Sequence, residues 1–140
     1  MKPRTIVDTG PLVALLDRKD RYHGWVKSQL ESIDPPLDTC EAALSEAAFL
    51  LSHVPGGPQA LLELVAKGLL VTASFSLQVE ARPIQQLLLR YANVPMSLAD
   101  ACLVRLTEIH TESLLLTLDS DFQIYRRHRR SVIPLLLPEV

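Results

Sequence analysis

The stretch Ile6–Leu16, IVDTGPLVALL, decides the fold class of this 140-residue chain. The residues before Asp8 are apolar and β-branched, which is typical of a short buried strand, and a second apolar run begins just after it. Thr9 can cap a helix that has Pro11 in its first turn, so the second run predicts a helix. Asp8 is therefore either a helix-starting residue or part of a charged site at the edge of a sheet.

Short apolar runs alternate with amphipathic segments along the rest of the chain. The helical spacing of apolar residues predicts helices over residues 23–32, 40–52, 59–67, 77–91 and 98–108, and a short helix around residues 122–126. Strands are predicted over residues 36–39, 69–72, 114–118 and 132–137. This alternation predicts an α/β fold with a mostly parallel sheet, formed by residues 1–140 as a single domain.

The composition limits where the protein can work. Apolar residues make up 48% of the chain and the mean hydropathy is +0.18, but no apolar run approaches the roughly 18 residues that a membrane span needs. No secretory signal is recognised at the start, so the chain is expected in the cytoplasm, away from membranes. The apolar excess suits a sheet buried on both faces and predicts a homodimer. Cys40 and Cys102 are expected to be reduced thiols.

The net charge of −2 gives the chain no overall positive field that would attract nucleic acid. A polyanion would therefore need metal ions or a local basic patch. One basic cluster, RRHRR at residues 126–130, has two interpretations. It is either a solvated loop or a contact for an RNA backbone or an acidic partner.

Four acidic residues interrupt the apolar pattern. Asp8 and Asp119 follow predicted strands, and ligands bind at the edge where the carboxyl ends of parallel strands meet. Glu46, in AALSEAAFLL, and Asp100, in SLADACLVRL, lie in apolar helical stretches, where a carboxylate is costly unless something compensates it. Each acid alone could be a cap, a solvated position, a first-turn acid or a turn former. Together they would repel one another unless a hard divalent cation, Mg²⁺ or Mn²⁺, neutralised them.

Four stretches together resemble the PIN-domain family of metal-dependent ribonucleases, and within it the VapC-like toxins of toxin–antitoxin pairs. They are IVDTGPLVALLDRKDRYH (residues 6–23), CEAALSEAAFLL (40–51), VPMSLADACLVRLTE (94–108) and LLLTLDSDFQIYRR (114–127). The resemblance covers nearly the whole chain, from Ile6 to Leu137. The order and separation of the stretches make it specific.

The resemblance implies a three-layer α/β/α fold around a roughly five-stranded sheet. It also implies an endoribonuclease that hydrolyses RNA with Mg²⁺ or Mn²⁺ and is blocked by a small antitoxin protein. It implies catalytic and metal-binding roles for Asp8, Glu46, Asp100 and Asp119. Asp8 and Asp100 are the expected direct ligands, and Glu46 could act through a water molecule.

The fourth acid has two candidates, because TLDSDF offers both Asp119 and Asp121. Asp119 is preferred since it directly follows the predicted strand, and Asp121 is predicted to cap the short helix. Thr9 and Thr117 could orient carboxylates or waters through their hydroxyl groups.

Two alternatives remain open at this point. The chain could be a PIN-fold scaffold that binds or helps to process RNA, with little or no nuclease activity. It could also be a nuclease that cuts flap DNA, although 140 residues leave no room for the long insertions that such enzymes use to clamp duplex DNA. A chelator added to an RNA cleavage assay tests the first alternative, and parallel assays on RNA and flap DNA test the second.

Overall fold

A computed structural model describes residues 3–139, and at its centre lies a parallel sheet of five strands in the order β3-β2-β1-β4-β7. These strands are β1 (Arg4–Val7), β2 (Leu37–Asp38), β3 (Leu70–Val71), β4 (Ser113–Leu116) and β7 (Leu135–Leu136). All neighbouring strands in this sheet run parallel. Two further strands, β5 (Arg126–Arg127) and β6 (Ser131–Val132), form an antiparallel hairpin outside it.

Helices cover both faces of the sheet. Within residues 3–139 they are α1 (Thr9–Leu16), α2 (His23–Glu31), α3 (Glu41–Leu50), α4 (Gly57–Ala66), α5 (Leu77–Arg90), α6 (Leu98–Ile109) and a 3-10 helix (Ser120–Gln123). One apolar core lies between the sheet and α5 and α6, and a second contains side chains of α1, α3 and α4. The predicted three-layer architecture is confirmed. None of the helices in the described part of the chain is both long and apolar enough to cross a membrane.

Strand β1 shows how the apolar excess is used. Side chains alternate along a strand, so Ile6 and Val7 point to opposite faces. Ile6 is buried with its partner Leu115 in the core against α5 and α6, and Val7 is buried with its partner Leu116 in the other core. Burial on both faces is typical of a parallel sheet covered by helices.

The carboxyl-terminal part of the chain differs from the prediction. The predicted strand over residues 132–137 is two strands, because β6 ends at Val132 and β7 begins at Leu135. Pro134 lies between them; it has no N–H to donate, but its carbonyl accepts a hydrogen bond from Leu115 at 2.9 Å. The predicted short helix is the 3-10 helix and ends earlier, because residues 126 and 127 pair with β6 instead.

The strand order creates a crevice between β1 and β4. Strands β2 and β3 lie on one side of β1, and the later strands β4 and β7 lie on its other side. In open parallel sheets, ligands bind at the carboxyl ends of the strands where the strand order reverses. Asp8 directly follows β1, and Asp119 lies three residues beyond the end of β4, so both belong to this crevice.

Candidate active site at the carboxyl edge of the sheet

Asp8 is buried at the end of β1, with only 6% of its surface exposed. Its Oδ1 accepts a hydrogen bond from the N–H of Thr9 at 2.7 Å, and its Oδ2 accepts one from the hydroxyl of Thr117 at 2.8 Å. Asp8 is therefore the N-cap of α1, and the prediction that Thr9 is the cap was wrong by one residue. The same side chain starts a helix and lies in the crevice.

The environment of Asp8 favours its protonated form. Burial raises the pKa of Asp8 from its ordinary value of 3.8 to about 6, although the hydrogen bonds from Thr117 and Thr9 lower it. Repulsion from Asp100 and Asp119 raises this pKa further. These three carboxylates therefore interact electrostatically within one crevice, although they lie far apart in the sequence.

Asp100 lies in the first turn of α6 and forms a capping box with Ser97. The N–H of Asp100 donates to the Ser97 hydroxyl at 3.0 Å, and Asp100 Oδ2 accepts from the N–H of Ser97 at 3.2 Å. The same Oδ2 accepts a hydrogen bond from the Tyr125 hydroxyl at 3.2 Å. Burial raises the pKa of Asp100, the hydrogen bonds from Ser97 and Tyr125 lower it, and repulsion from Asp119 raises it.

Glu46 lies on the exposed face of α3, so the burial cost that the sequence pattern indicated does not arise. The helix turns Glu46 toward solvent together with Phe49 and Leu50. The hydroxyl of Thr9 donates to Glu46 Oε2 at 3.0 Å and also lies 3.3 Å from the carbonyl oxygen of Ala43. Thr9 thus connects Glu46 to the start of α1, beside Asp8.

Thr117 is fully buried and joins two of the acids. Its hydroxyl donates to Asp8 and accepts a hydrogen bond from the N–H of Asp119 at 3.0 Å. Asp119 Oδ1 accepts from the N–H of Asp121 at 2.9 Å, so Asp119 caps the 3-10 helix and the predicted capping role of Asp121 was wrong. One chain of hydrogen bonds passes through Glu46, Thr9, Asp8, Thr117 and Asp119.

Tyr125 is a site residue that the sequence did not indicate. It is fully buried, donates to Asp100, and packs edge-on against Tyr91 and Phe122 with ring centroids 5.1 and 5.3 Å away. Burial and the neighbouring carboxylate of Asp100 raise the pKa of the Tyr125 hydroxyl above its usual range, so it stays a donor. Nothing in the sequence distinguishes this tyrosine from an ordinary aromatic residue of the core.

The two cysteines lie under the same site as free, buried thiols, as expected from the sequence. Cys40 immediately precedes α3, and Cys102 lies two residues after Asp100 on α6. A hydrogen bond between the two thiols, together with burial, raises the pKa of Cys40 far above its usual range. Both side chains belong to the apolar core rather than to the acidic set.

The charge of the acids is not balanced by basic side chains. Among residues 3–139, no lysine or arginine forms an ion pair with any of the four predicted site residues. Three of them lie at helix starts, where backbone N–H groups supply partial positive charge: Asp8 on α1, Asp100 on α6 and Asp119 on the 3-10 helix.

Carboxylate and hydroxyl oxygens are the ligands that hard cations such as Mg²⁺ prefer, so the residues fit a divalent ion in chemistry and in charge. However, no group of three His, Cys, Asp or Glu side chains in the described part of the chain is arranged to hold a metal ion as it stands. Mg²⁺ usually keeps several waters and is often held by one or two carboxylates together with substrate phosphates. The arrangement therefore suits an ion shared with water and substrate rather than a closed cage.

Comparison with known proteins gives the family. The PIN-domain profile matches residues 5–127. The crystal structure of VapC20 from Mycobacterium tuberculosis, a sarcin-ricin loop cleaving toxin, has the same fold, with a TM-score of 0.70 and 22% sequence identity over 93% of this chain and 99% of that one. No curated protein sequence is a significant match. Because the profile spans most of its length, the chain belongs to the PIN-domain family.

Proposed function

We propose that the chain is an endoribonuclease that depends on Mg²⁺ or Mn²⁺ and acts as the toxin of a toxin–antitoxin pair. The observation that carries this proposal is the crevice between β1 and β4, where burial and the repulsion from Asp100 and Asp119 raise the pKa of Asp8, and no basic side chain of residues 3–139 forms an ion pair with these acids. PIN-domain nucleases generally use divalent metals. A toxin of the same fold that cleaves the sarcin-ricin loop supports RNA as the substrate.

In this proposal Asp8 and Asp100 would hold the metal directly, Asp119 would complete the set, and Glu46 would act through a water molecule. Within residues 3–139, no hydrogen bond reaches Oδ1 of Asp100, Oδ2 of Asp119 or Oε1 of Glu46, so each of these acids keeps one oxygen for a ligand. When bound, the ion activates a water molecule and stabilises the charge that develops on the phosphodiester.

The surrounding residues hold the carboxylates in place. Tyr125 and Ser97 both bond to Oδ2 of Asp100, which leaves the other oxygen of this carboxylate for a ligand. Thr117 and the N–H of Thr9 fix the two oxygens of Asp8 and favour its ionised form, which a cation requires. Attack by water on the phosphorus breaks the bond to the 3′ oxygen and leaves a 5′-phosphate and a 3′-hydroxyl.

Metal removal tests the proposal. Purified protein with Mg²⁺ or Mn²⁺ should cleave end-labelled RNA, and EDTA should abolish the cleavage until excess metal is restored. End-group analysis of the products should find 5′-phosphates. Cleavage that persists in EDTA contradicts metal dependence, and 2′,3′-cyclic phosphate ends contradict attack by water. Flap DNA tested in parallel should remain uncut.

A second candidate function is an RNA-binding PIN scaffold without cleavage. One observation favours it, namely that no three metal-ligating side chains among residues 3–139 are already gathered around a point. A folded protein that binds RNA but cleaves none of it with either metal would establish this candidate.

Replacing Thr117 by valine should weaken both the fold and the site, because Asp8 Oδ2 and the N–H of Asp119 lose their shared buried partner. We expect a loss of about 1–3 kcal/mol in the free energy of unfolding and of about 10–100-fold in RNA cleavage. Urea denaturation and a cleavage assay measure the two effects. Thr107→Val is the matched control, since within residues 3–139 this buried hydroxyl bonds only to Val104 O, at 2.6 Å within α6. It should lower stability and leave cleavage intact.

We also propose that the protein acts in the cytoplasm, that residues 1–140 form one domain, that a small antitoxin covers the acidic crevice, and that the chain forms a homodimer. Large apolar side chains that are mostly exposed support a protein partner: Phe49 is 76% exposed on α3 and Leu62 is 58% exposed on α4. Light scattering of the purified chain tests the homodimer.

A further inference from the structure

The basic cluster at residues 126–130 forms the β5–β6 hairpin rather than the predicted loop. Two of its arginines donate hydrogen bonds to backbone carbonyl oxygens of neighbouring segments. Arg126 donates to carbonyl oxygens at the end of the preceding 3-10 turn, and Arg127 donates to the carbonyl oxygens of Thr107 and Thr111 at 3.0 and 2.9 Å. The guanidinium group of Arg127 therefore anchors the hairpin to the carboxyl end of α6, and that of Arg126 anchors it to the 3-10 turn.

The tip of the hairpin is held in an unusual backbone conformation. His128 and Arg129 have φ angles of 51° and 71°, a region that glycine, asparagine or aspartate adopts more readily. A hydrogen bond of 2.7 Å from the N–H of His128 to Glu108 Oε2 holds the tip against α6. The tip therefore presents the side chains of Arg129 and Arg130, which are exposed, from a fixed position.

A groove of about 390 Å³ lies between this tip, α5 and α6, and we call it the basic groove. Its lining includes Arg90 of α5, Arg105 and Glu108 of α6, and Arg129. Arg105 is neutralised, because it forms ion pairs with Glu80 at 2.7 Å and with Glu108 at 3.1 Å. Among residues 3–139, no carboxylate pairs with Arg90 or Arg129, which line the groove, or with Arg130, which follows Arg129 in the chain, so this side of the molecule carries uncompensated positive charge.

The basic groove and the acidic crevice lie along the same helix. Asp100 is in the first turn of α6, and Glu108 is eight residues further on, which corresponds to about 12 Å along the helix axis. Hydrogen bonds join the crevice to the hairpin that borders the groove. Tyr125 donates to Asp100, and the N–H of the next residue, Arg126, donates to the hydroxyl of Tyr91 at 2.8 Å. A strand of a few nucleotides is long enough to reach from the crevice to the groove.

We propose that the basic groove binds phosphates of the RNA strand a few nucleotides away from the bond that is cut. This inference rests on the proposed function, since it assigns the acidic crevice to cleavage. The acids repel a polyanion and the net charge of −2 offers no overall attraction, so a local cluster of free arginines is what holds the strand. Phosphate contacts of this kind position the strand and carry no sequence information.

RNA binding measured in EDTA tests the groove without any cleavage. The double variant Arg129→Gln/Arg130→Gln should bind a fluorescent 20-nucleotide RNA more weakly than the unaltered protein. For this double variant, the slope of log affinity against log salt concentration should be smaller in magnitude by about 1 to 1.5. Binding to a single strand loses about 0.7 in this slope for each phosphate contact that is removed. Arg90→Gln, on a different element, should act in the same direction. Arg18→Gln/Arg21→Gln removes two exposed charges from the loop before α2 and should leave binding unchanged.

Cleavage assays separate this proposal from the proposed function. With Mg²⁺, Arg129→Gln/Arg130→Gln should lower kcat/KM on the 20-nucleotide RNA, but not on a tetranucleotide too short to reach the groove. If this variant binds and cuts the long RNA as well as the Arg18/Arg21 control does, the groove is refuted while metal-dependent cleavage stands. If it keeps its affinity for RNA and loses affinity for a polyglutamate peptide, the groove is a protein-binding surface and the proposal fails. If the unaltered protein cuts no RNA, the binding comparison still decides whether the groove holds RNA.

Discussion

Asp8→Asn should reduce RNA cleavage at least about 100-fold and, in the same protein, raise the free energy of unfolding at pH 7. Cleavage falls because an amide is a poor ligand for a hard cation and cannot neutralise its charge. Stability rises because the carboxylate is ionised at pH 7 although its surroundings favour the protonated form. Asparagine caps helices as well as aspartate does, so α1 keeps its start.

The pH dependence of this gain follows from the pKa values. The folded protein holds the Asp8 proton up to about pH 6, whereas the unfolded chain releases it near 3.8. Between these values the folded state binds more protons, so the contribution of Asp8 to stability falls as the pH rises. The full difference corresponds to about 3 kcal/mol. Asp8→Asn should therefore gain up to this amount above pH 6 and nothing below pH 4, measured by urea denaturation in EDTA.

Asp38→Asn is the matched control for this experiment. Asp38 is as buried as Asp8, but it pairs with Arg4 at 3.3 Å and accepts a hydrogen bond from Ser74 at 3.0 Å. Its replacement should lower stability by about 1.5–3 kcal/mol and leave cleavage intact. Added Mg²⁺ should stabilise the unaltered protein and not Asp8→Asn. If Asp8→Asn is less stable than the unaltered protein at pH 7 in EDTA, the carboxylate is not the strained group described above.

Asp100→Asn should also lose cleavage at least about 100-fold, and its stability at pH 7 should be retained or raised. Oδ1 of Asp100 accepts no hydrogen bond from residues 3–139 and is the oxygen that we assign to the metal, and the amide loses the charge that makes it a ligand. The carbonyl oxygen of asparagine can still accept from Ser97 and Tyr125, so the start of α6 is retained, and the burial that raises the pKa of Asp100 no longer disfavours a charge. Circular dichroism should overlay that of the unaltered protein, and thermal unfolding should occur at the same or a higher temperature.

Asp121→Asn is the control for Asp100→Asn because it removes the same charge near the same crevice. Repulsion from Asp119 adds to the raised pKa of both Asp8 and Asp100, and Asp121 is not among the main causes of either shift. Asp121→Asn should therefore cleave RNA like the unaltered protein. Full loss of cleavage in Asp121→Asn would show that Asp121, rather than Asp119, is the fourth acid, and unchanged cleavage in Asp100→Asn would contradict the site.

The sequence pattern was sufficient for an α/β fold with a mostly parallel sheet and for placing Asp8 and Asp119 at its edge, because both follow from short-range patterns. The three layers and the five strands were implied by the family resemblance. Apolar runs that end on Asp8 and near Asp119 are enough to place these residues at one edge of a parallel sheet. The apolar periodicity of α6 and the Ser97 cap were also visible, so the position of Asp100 was correct to the residue.

Details that depend on tertiary contacts could not be predicted. Asp8 rather than Thr9 caps α1, and Asp119 rather than Asp121 caps the 3-10 helix. Thr117, directly after β4, bonds both to Asp8 and to the N–H of Asp119, and the sequence does not show this contact. Tyr125 looked like any core aromatic until its hydroxyl was found beside Asp100. Glu46 was placed correctly in a helix, but an almost uniformly apolar segment does not reveal which face is exposed.

Three helices begin in the crevice with an aspartate at the cap or in the first turn, and this has a consequence for how the protein folds. Fixed backbone dipoles partly offset the mutual repulsion of the carboxylates, so the chain can fold without a bound ion. With the proposed metal dependence, folding and activation would be two separate events, in contrast to small zinc domains that stay unfolded until they are loaded. Newly made chains would then remain folded and inactive until a divalent ion bound.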